Sequence, residues 1–281
     1  MKTPKRLQPL VEEGLIDEVI RQLMSGKEAT VYVVRCGDEI RCAKVYKEAN
    51  QRSFRQAASY QEGRKVRNSR QARAMEKGTR YGRKMQEEVW QNAEVDALYR
   101  LAAAGVRVPK PYICFEGVLL MELVTDATGQ VAPRLNDVAL TAQKAVEYHH
   151  ALLRQVVLML CAGVIHGDLS EYNILVDADG PVIIDLPQAI NAAGNTEAAP
   201  MLERDVANLA TYFGQFAPHI SDTQYGKEIW KLYVDGLLNP DAALTGRIAL
   251  NKRPADVGAV LHEIELARRE EEERLRRLQE M

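Results

Sequence analysis

Between two apolar flanks, residues 164–175 read V-I-H-G-D-L-S-E-Y-N-I-L, which sets an imidazole (His166), a carboxylate (Asp168) and a carboxamide (Asn173) where the chain would otherwise bury itself. Burying such groups is costly unless each has a partner or a task. After Asn173 the run I-L-V turns at D-A-D-G and returns as P-V-I-I-D, so a hairpin brings Asn173 and Asp185 to one end. An amide oxygen and a carboxylate are hard ligands suited to Mg²⁺, which takes few protein ligands and keeps water and phosphate oxygens around it. Asp168 is then free to orient an attacking hydroxyl. Asp and Asn also make turn hydrogen bonds, so D-x-x-x-x-N taken alone reads more readily as a turn.

Two further stretches carry charge of the right sign. Lys44 lies in C-A-K-V on a strand-like run, where an ammonium can pair the α- and β-phosphates of a nucleotide while a carboxylate holds it. Lys47, at the ragged end of the same run, is the alternative. Glu94, on the helical segment after residues 50–85, is the best partner carboxylate, whereas Glu87 and Glu88 read as solvated first-turn residues that complement the helix dipole. Before the first strand, Ser25-Gly26-Lys27-Glu28-Ala29 has the form of a phosphate-covering loop with one glycine; main-chain N–H groups, the Ser25 hydroxyl and Lys27 are its donors. Neither G-x-G-x-x-G nor G-x-x-x-x-G-K-[ST] occurs. In L-L-M-E-L-V the backbone groups of Glu122 and Val124 can read adenine edges with Met121 at the rear of the pocket, although the same side chains serve as an apolar strand.

These residues need elements to position them. Residues 10–24 have the spacing of a short amphipathic helix, and two β-rich runs around Gly37-Asp38 make a hairpin. Apolar positions from Gln86 to Ala104 recur at helical spacing and stop at Gly105. A second hairpin turns at Glu116-Gly117, and a long helix over about 138–162 is closed by Gly163. Residues 200–217, 222–238 and 255–280 read as helices, so strands dominate the first part of the chain and helices the second.

Composition bounds the rest. With 281 residues, 46% hydrophobic and 27% charged, the chain suffices for two lobes around a cleft, and a net charge of −2 argues against strong global attraction to nucleic acid or membrane. No apolar run approaches the ~20 residues that span a bilayer, and the start has no apolar core of a secretory signal. Cys36, Cys42, Cys114 and Cys161 show no C-x-x-C spacing, which fits reduced thiols and a cytoplasmic location. Residues 50–85 stand apart, with eleven Lys/Arg from Arg52 to Lys84 against Glu62 and Glu76. They read as a solvated insertion, or as a basic arm for RNA, a phosphoprotein or an acidic partner.

D-x-x-x-x-N followed by I-D matches a kinase catalytic loop and its metal aspartate. Together the stretches resemble the RIO family of atypical protein kinases: S-G-K-E-A-T-V-Y (25–32), A-K-V-Y (43–46), E-V-D-A-L-Y-R-L-A-A-A-G-V-R-V-P-K-P (94–111), L-L-M-E (119–122), H-G-D-L-S-E-Y-N-I-L (166–175), I-D-L-P-Q-A (184–189) and E-R-D-V-A-N-L (203–209). S-E-Y-N and the single-glycine loop are the specific features, since H-G-D-L also occurs in small-molecule kinases. The resemblance covers about residues 10–235. It implies an α+β, two-lobed protein-kinase-like fold of truncated RIO type, divided as a helical segment 1–24, an N-lobe 25–122 containing the 50–85 insertion, a C-lobe 123–262 and a charged helix 263–281. It also implies ATP in the cleft, Asp168 as catalytic aspartate, Asn173 and Asp185 on Mg²⁺ or Mn²⁺, Lys44 paired with Glu94, and Ser25 with Lys27 on the phosphates. His166 braces the loop, Arg204 and Asp205 anchor the helix beneath it, and His149-His150 are structural or surface residues. A-P-E is missing after Asp185 and Gly167 replaces the Arg of H-R-D, so activation by loop phosphorylation is not expected.

The leading expectation is therefore transfer of the ATP γ-phosphoryl group to a protein Ser/Thr hydroxyl, including self-phosphorylation. Relatives that serve late ribosome assembly, and those that work as switches through an aspartyl-phosphate matching Asp185, make an ATPase acting on a ribosomal or RNA-containing partner the alternative. Small-molecule phosphotransfer ranks third, and a non-catalytic scaffold that binds through residues 50–85 is disfavoured by the intact set Lys44, Asp168, Asn173 and Asp185.

Overall fold

The computed structural model describes residues 3–26, 28–47 and 93–248. A short helix α1 (Gln8–Glu12) leads into strands β1 (Glu18–Ser25), β2 (Ala29–Cys36) and β3 (Glu39–Tyr46). Helix α2 covers residues 93–103, and β4 (Pro111–Phe115) and β5 (Val118–Glu122) follow. The five strands form one antiparallel sheet in the order β1-β2-β3-β5-β4. The second half has the long helix α3 (Ala142–Cys161), the short strand β6 (Val164–Ile165), the hairpin β7 (Ile174–Asp177) and β8 (Gly180–Ile183), strand β9 (Ile190–Asn191), and helices α4 (Ala198–Gly214) and α5 (Tyr225–Val234). This is an α+β architecture of the protein-kinase kind. No helix among the described residues is long and apolar enough to cross a membrane.

Local chemistry explains the elements. β2 and β3 are rich in Val, Ile and Tyr, which suit a pleated surface, and Gly37 at φ +60° supplies the turn between them. Between β4 and β5, Glu116 (φ +46°) and Gly117 (φ +72°) give the paired left-handed residues of a tight hairpin. Helix α3 begins where the Thr141 side chain accepts from the Lys144 N–H at 3.2 Å. Its buried face, Ala145, His149, Leu152, Val156 and Leu160, repeats at three- and four-residue steps.

Alternation along β3 sorts its side chains between two cores. Ala43 and Val45 pack with Leu7, Leu10 and Val34 on the side of α1. Tyr46 joins the larger core that runs through Val95, Leu98 and Leu101 of α2 into the helical half. Lys44, two residues before Tyr46, shares that second face.

One expectation fails. Residues 10–24 are not a helix, and the 1–24 segment is not helical throughout: α1 ends at Glu12, Gly14 sits at φ +69°, and Glu18–Ser25 is the edge strand β1. Register shifts between Val19 and Arg21 and between Gln22 and Met24 break the two-residue alternation of the strand, and Ile16, just before it, extends the apolar positions Val19 and Leu23 into a helix-like spacing. The helices expected at 200–217 and 222–238 run instead over Ala198–Gly214 and Tyr225–Val234. The expectations for residues 50–85, Glu87, Glu88, 255–280 and the 263–281 helix fall outside the described residues.

His149 is structural. It is 1% exposed, its ring lies 5.7 Å from Phe213 and 5.8 Å from Tyr225, and neither ring nitrogen has a partner among the described residues. Burial, with the nearby His150 and His219, pushes its pKa from 6.5 to about 4. Below pH 6.5 the unfolded chain takes up a proton at this imidazole, while the folded one stays neutral until about pH 4. Stability therefore falls across that window, by roughly 3 kcal/mol in full. His149→Leu is expected to flatten this part of the stability–pH curve, measured by urea unfolding at intervals from pH 7 to 4. Parallel curves for the two proteins would refute the assignment.

Candidate active site

β3, α2 and the β7–β8 hairpin converge on one ammonium. Lys44 Nζ donates to Glu94 Oε1 at 2.5 Å and to Asp185 Oδ1 at 2.8 Å. Lys44 is 8% exposed and Glu94 5%, whereas the Asp185 side chain is 48% exposed. Burial opposes the charge on Lys44, but Glu94 and Asp185 outweigh it and hold its pKa well above the ordinary lysine value. Burial likewise works against ionised Asp185, and the Lys44 ammonium overrides it, with smaller help from His166 and Arg134, so that carboxyl sits below its usual range. One cation thus faces two carboxylates, and the surplus negative charge is open on the Asp185 side.

Asp185 has φ +65°, one of two non-glycine residues in the left-handed region among those described. Asp tolerates this conformation better than most residues, and such backbone persists where surroundings over-determine it. Here the hairpin does so: Ile174 pairs with Ile183, and the Ile184 N–H donates to Asn173 O at 3.0 Å. Asn173 and Asp185 are therefore held at the same hairpin end, as the sequence implied. Asn173 Nδ2 donates to Asp168 O at 2.8 Å, which engages the amide nitrogen and leaves the amide oxygen as the group's acceptor.

The loop carrying Asp168 is braced from below by α4. The buried Asp205 accepts from the Gly167 N–H at 2.8 Å with one oxygen and from the Leu169 N–H at 3.1 Å with the other. Arg204 donates to Gly167 O, and Asn208 Nδ2 donates to Leu169 O at 3.1 Å. Buried His166 bonds Ile184 O through Nε2 at 3.1 Å and accepts the Asp168 N–H at Nδ1 at 3.3 Å, so it is a brace with both nitrogens engaged. Asp168 itself stays open to the cleft. Partial desolvation pushes its carboxyl up, His166 and Arg204 pull it back, and Asp185 adds to the rise.

The remaining candidates are placed as follows. Ser25 Oγ lies 3.3 Å from Thr30 Oγ1, and Lys47 Nζ donates to it at 3.1 Å and to Gly26 O at 2.6 Å. Lys47 therefore latches the end of β1 rather than meeting Glu94, which resolves the choice between the two lysines in favour of Lys44 as its partner. Lys27 lies outside the described residues. On β5, Met121 is half-buried opposite Cys42. The Glu122 N–H donates to Lys110 O at 2.9 Å, and its side chain accepts the Lys110 N–H at 3.0 Å. Val124 packs with Ala132, Leu175 and Val182.

Two residues escaped the sequence reading. Tyr46 puts its ring 5.6 Å from Lys44 Nζ, with its hydroxyl buried and unbonded among the described residues. Its signal was the K-x-Y step of a strand, which places both side chains on one face. Asn208 stands four residues beyond Arg204 on the same helix face.

The geometry can hold a divalent cation in the manner of Mg²⁺. No group of three or more His, Cys, Asp or Glu suited to a metal occurs among the described residues, yet Mg²⁺ needs only one or two carboxylates plus substrate phosphates. The second oxygen of Asp185 and the amide oxygen of Asn173 fit that need.

An antiparallel sheet and a helical half, meeting at a lysine shared between a helix glutamate and a strand-end aspartate, define a protein-kinase-like fold. A profile of the RIO domain family matches residues 30–225, and the chain belongs to that family. It is 36% identical over 210 residues to the RIO-type serine/threonine-protein kinase Rio1 of Haloferax volcanii, covering 73% of this chain and 66% of the other. It is 29% identical over 218 residues to serine/threonine-protein kinase rio1 of Schizosaccharomyces pombe (75% and 41%). Against serine/threonine-protein kinase RIO1 of Homo sapiens the identity is 30% over 214 residues (75% and 36%). The chain thus spans 66% of the archaeal relative's length and well under half of the other two.

Asp205 offers the sharpest structural test of the brace. Asp205→Asn keeps one acceptor oxygen for two buried N–H donors, which is expected to cost about 1–3 kcal/mol of stability. Amide exchange at Gly167 and Leu169 should accelerate more than elsewhere in the chain. Unchanged denaturation and unchanged exchange at those two amides would contradict the bracing role.

Proposed function

We propose that this cleft binds Mg²⁺–ATP and transfers the γ-phosphoryl group to a Ser or Thr hydroxyl of a protein, its own chain included. The single observation that carries this reading is the shared Lys44: a buried ammonium between Glu94 and Asp185, with Asp168 and Asn173 one hairpin away. Phosphoryl transfer proceeds through a loose transition state, so the protein's task is positioning and charge neutralisation.

Lys44 is aimed at the α- and β-phosphates and is kept protonated and oriented by Glu94. Asp168 accepts hydrogen bonding from the incoming hydroxyl and takes its proton late. Asn173 and Asp185 hold the metal, Mg²⁺ or Mn²⁺, which when bound would neutralise charge on the phosphate oxygens. Ser25, Lys27 and the adjoining main-chain N–H groups cover the phosphates. The Glu122 carbonyl and Val124 N–H read the adenine edge, with Met121 behind it. The protein substrate, or a ribosomal or RNA-containing partner, would meet the basic stretch 50–85, whose eleven Lys/Arg support that role.

One observation favours a second reading. Asp185 is half-exposed and its carboxyl is held below the usual range, so its carboxylate can attack the γ-phosphorus, with ADP leaving, to form an aspartyl-phosphate that water then hydrolyses. The protein would then work as an ATPase switch.

Incubation of the full chain with γ-labelled ATP and Mg²⁺ or Mn²⁺ separates these outcomes. Transfer to Ser/Thr gives label stable to hydroxylamine; an aspartyl-phosphate gives labile label and an excess of free phosphate. Asp168→Asn should retain nucleotide binding and lose about 10²–10⁴-fold in transfer, and Asp185→Asn should abolish metal-dependent turnover with the fold intact. Undiminished transfer by either variant would reject its assigned role.

A further inference from the structure

Arg134 belongs to none of the motifs above. It lies between β5 and α3, and its backbone bridges antiparallel to Leu175, two residues beyond Asn173. The bridge is firm on both sides. The Val176 N–H donates to Pro133 O at 2.9 Å, and the neighbouring Leu135 is fully buried, with its carbonyl accepting the Tyr212 hydroxyl at 2.9 Å. The Cα of Arg134 is thus fixed to the hairpin that carries Asn173 and Asp185.

Its side chain reaches the other way. The guanidinium meets Met24 Sδ at 3.5 Å across 110 residues of sequence, and Met24 immediately precedes Ser25-Gly26. Arg134 therefore crosses from the Asp185 hairpin to the start of the loop assigned to phosphates. It is half-buried and forms no ion pair among the described residues. Its charge reaches Asp185, where it contributes to keeping that carboxyl ionised.

A thioether is a weak acceptor, while a guanidinium presents five N–H donors in a planar fork that matches phosphate oxygens. A partly desolvated guanidinium with one weak acceptor is incompletely satisfied, and it links the hairpin that carries Asp185 to the end of β1. The surplus carboxylate charge at Lys44 does not meet this need, because no carboxylate among the described residues comes within ion-pairing distance of Arg134.

We propose that Arg134 is a direct ligand of the nucleotide's phosphate chain, donating its fork to phosphate oxygens and so joining β1 to the β7–β8 hairpin when nucleotide is bound. This rests on the nucleotide reading above and adds to it a phosphate-binding side chain from the connection between β5 and α3.

The test is calorimetric titration of the full chain with adenosine, ADP and ATP in Mg²⁺, comparing wild type with Arg134→Met and Arg134→Lys. Met keeps the apolar stem and its packing on Met24; Lys restores charge without the fork. Arg134→Met is expected to weaken ADP and ATP by about 10- to 100-fold and leave adenosine within about two-fold, with Arg134→Lys recovering part of the loss. Unchanged ATP affinity in Arg134→Met would overturn the proposal. So would an equal loss for adenosine and ATP together with a lowered melting temperature, which marks a strut rather than a phosphate ligand. Wild-type protein that binds adenosine nucleotides not at all would instead remove the nucleotide reading itself, and Arg134's role with it.

Discussion

A buried ammonium cannot stand alone in a protein interior, and the architecture around Lys44 follows from that. Its two carboxylate partners lie 50 and 141 residues away, on a helix and at the end of a hairpin in the other half of the chain. Desolvating a lysine costs several kcal/mol, and breaking a buried pair by removing one partner costs about 3–5 kcal/mol. The sheet and α2 are thereby committed to one mutual arrangement, and the half-exposed Asp185 ties the hairpin to them more weakly. The pair also leaves a charge of one sign in excess. Lys44 neutralises Glu94 in the dry interior, and Asp185, half in solvent, keeps most of its charge for something else.

The acids of the site divide by how their oxygens are used, not by how deeply they are buried. Burial pushes the carboxyl of both Asp168 and Asp205 upward. Asp205, however, spends both oxygens on main-chain N–H groups of the loop, and α4 adds Arg204 and Asn208 to the same backbone. Asp168 is presented by that fixed backbone with its carboxylate directed to the cleft. On the proposed reading, this rigidly presented carboxylate, with the Asn173 amide as its side-chain partner, is the one that takes a proton. His166 falls on the bracing side of this line because each of its ring nitrogens already has a bond.

What was legible in the sequence was what local chemistry alone decides. The turns at Gly37 and Glu116-Gly117, the α3 face and the convergence of Asn173 with Asp185 all follow from residue type and strand period. Glu94 could be matched to Lys44 because a lysine strand and a helix after it constrain few alternatives. The edge strand β1 was misread because its two bulges shift the alternation, and an edge strand with mostly exposed side chains has little apolar signal to correct the error. Tyr46 and Arg134 were illegible for another reason. Arg134 matters by its proximity through space to Met24, which neither spacing nor residue type encodes, while the K-x-Y step set Tyr46 on the Lys44 face without signalling its contact with the ammonium.

On the proposed reading, nucleotide entry must alter the Lys44 cluster, and the energies decide which bond yields. Lys44 has to turn toward phosphate oxygens while keeping its charge. Releasing Glu94 would strand a carboxylate that is 5% exposed, at a cost of several kcal/mol. Releasing Asp185, whose side chain is 48% exposed, sacrifices a contact closer to the roughly 0–1 kcal/mol of a solvated pair. Asp185 is therefore the partner that gives way, and once freed from Lys44 it has both oxygens for a divalent cation. The same exchange turns a resting ion pair into a metal site without moving Glu94, and it ties cation and nucleotide binding together, since each makes the other's ligand available.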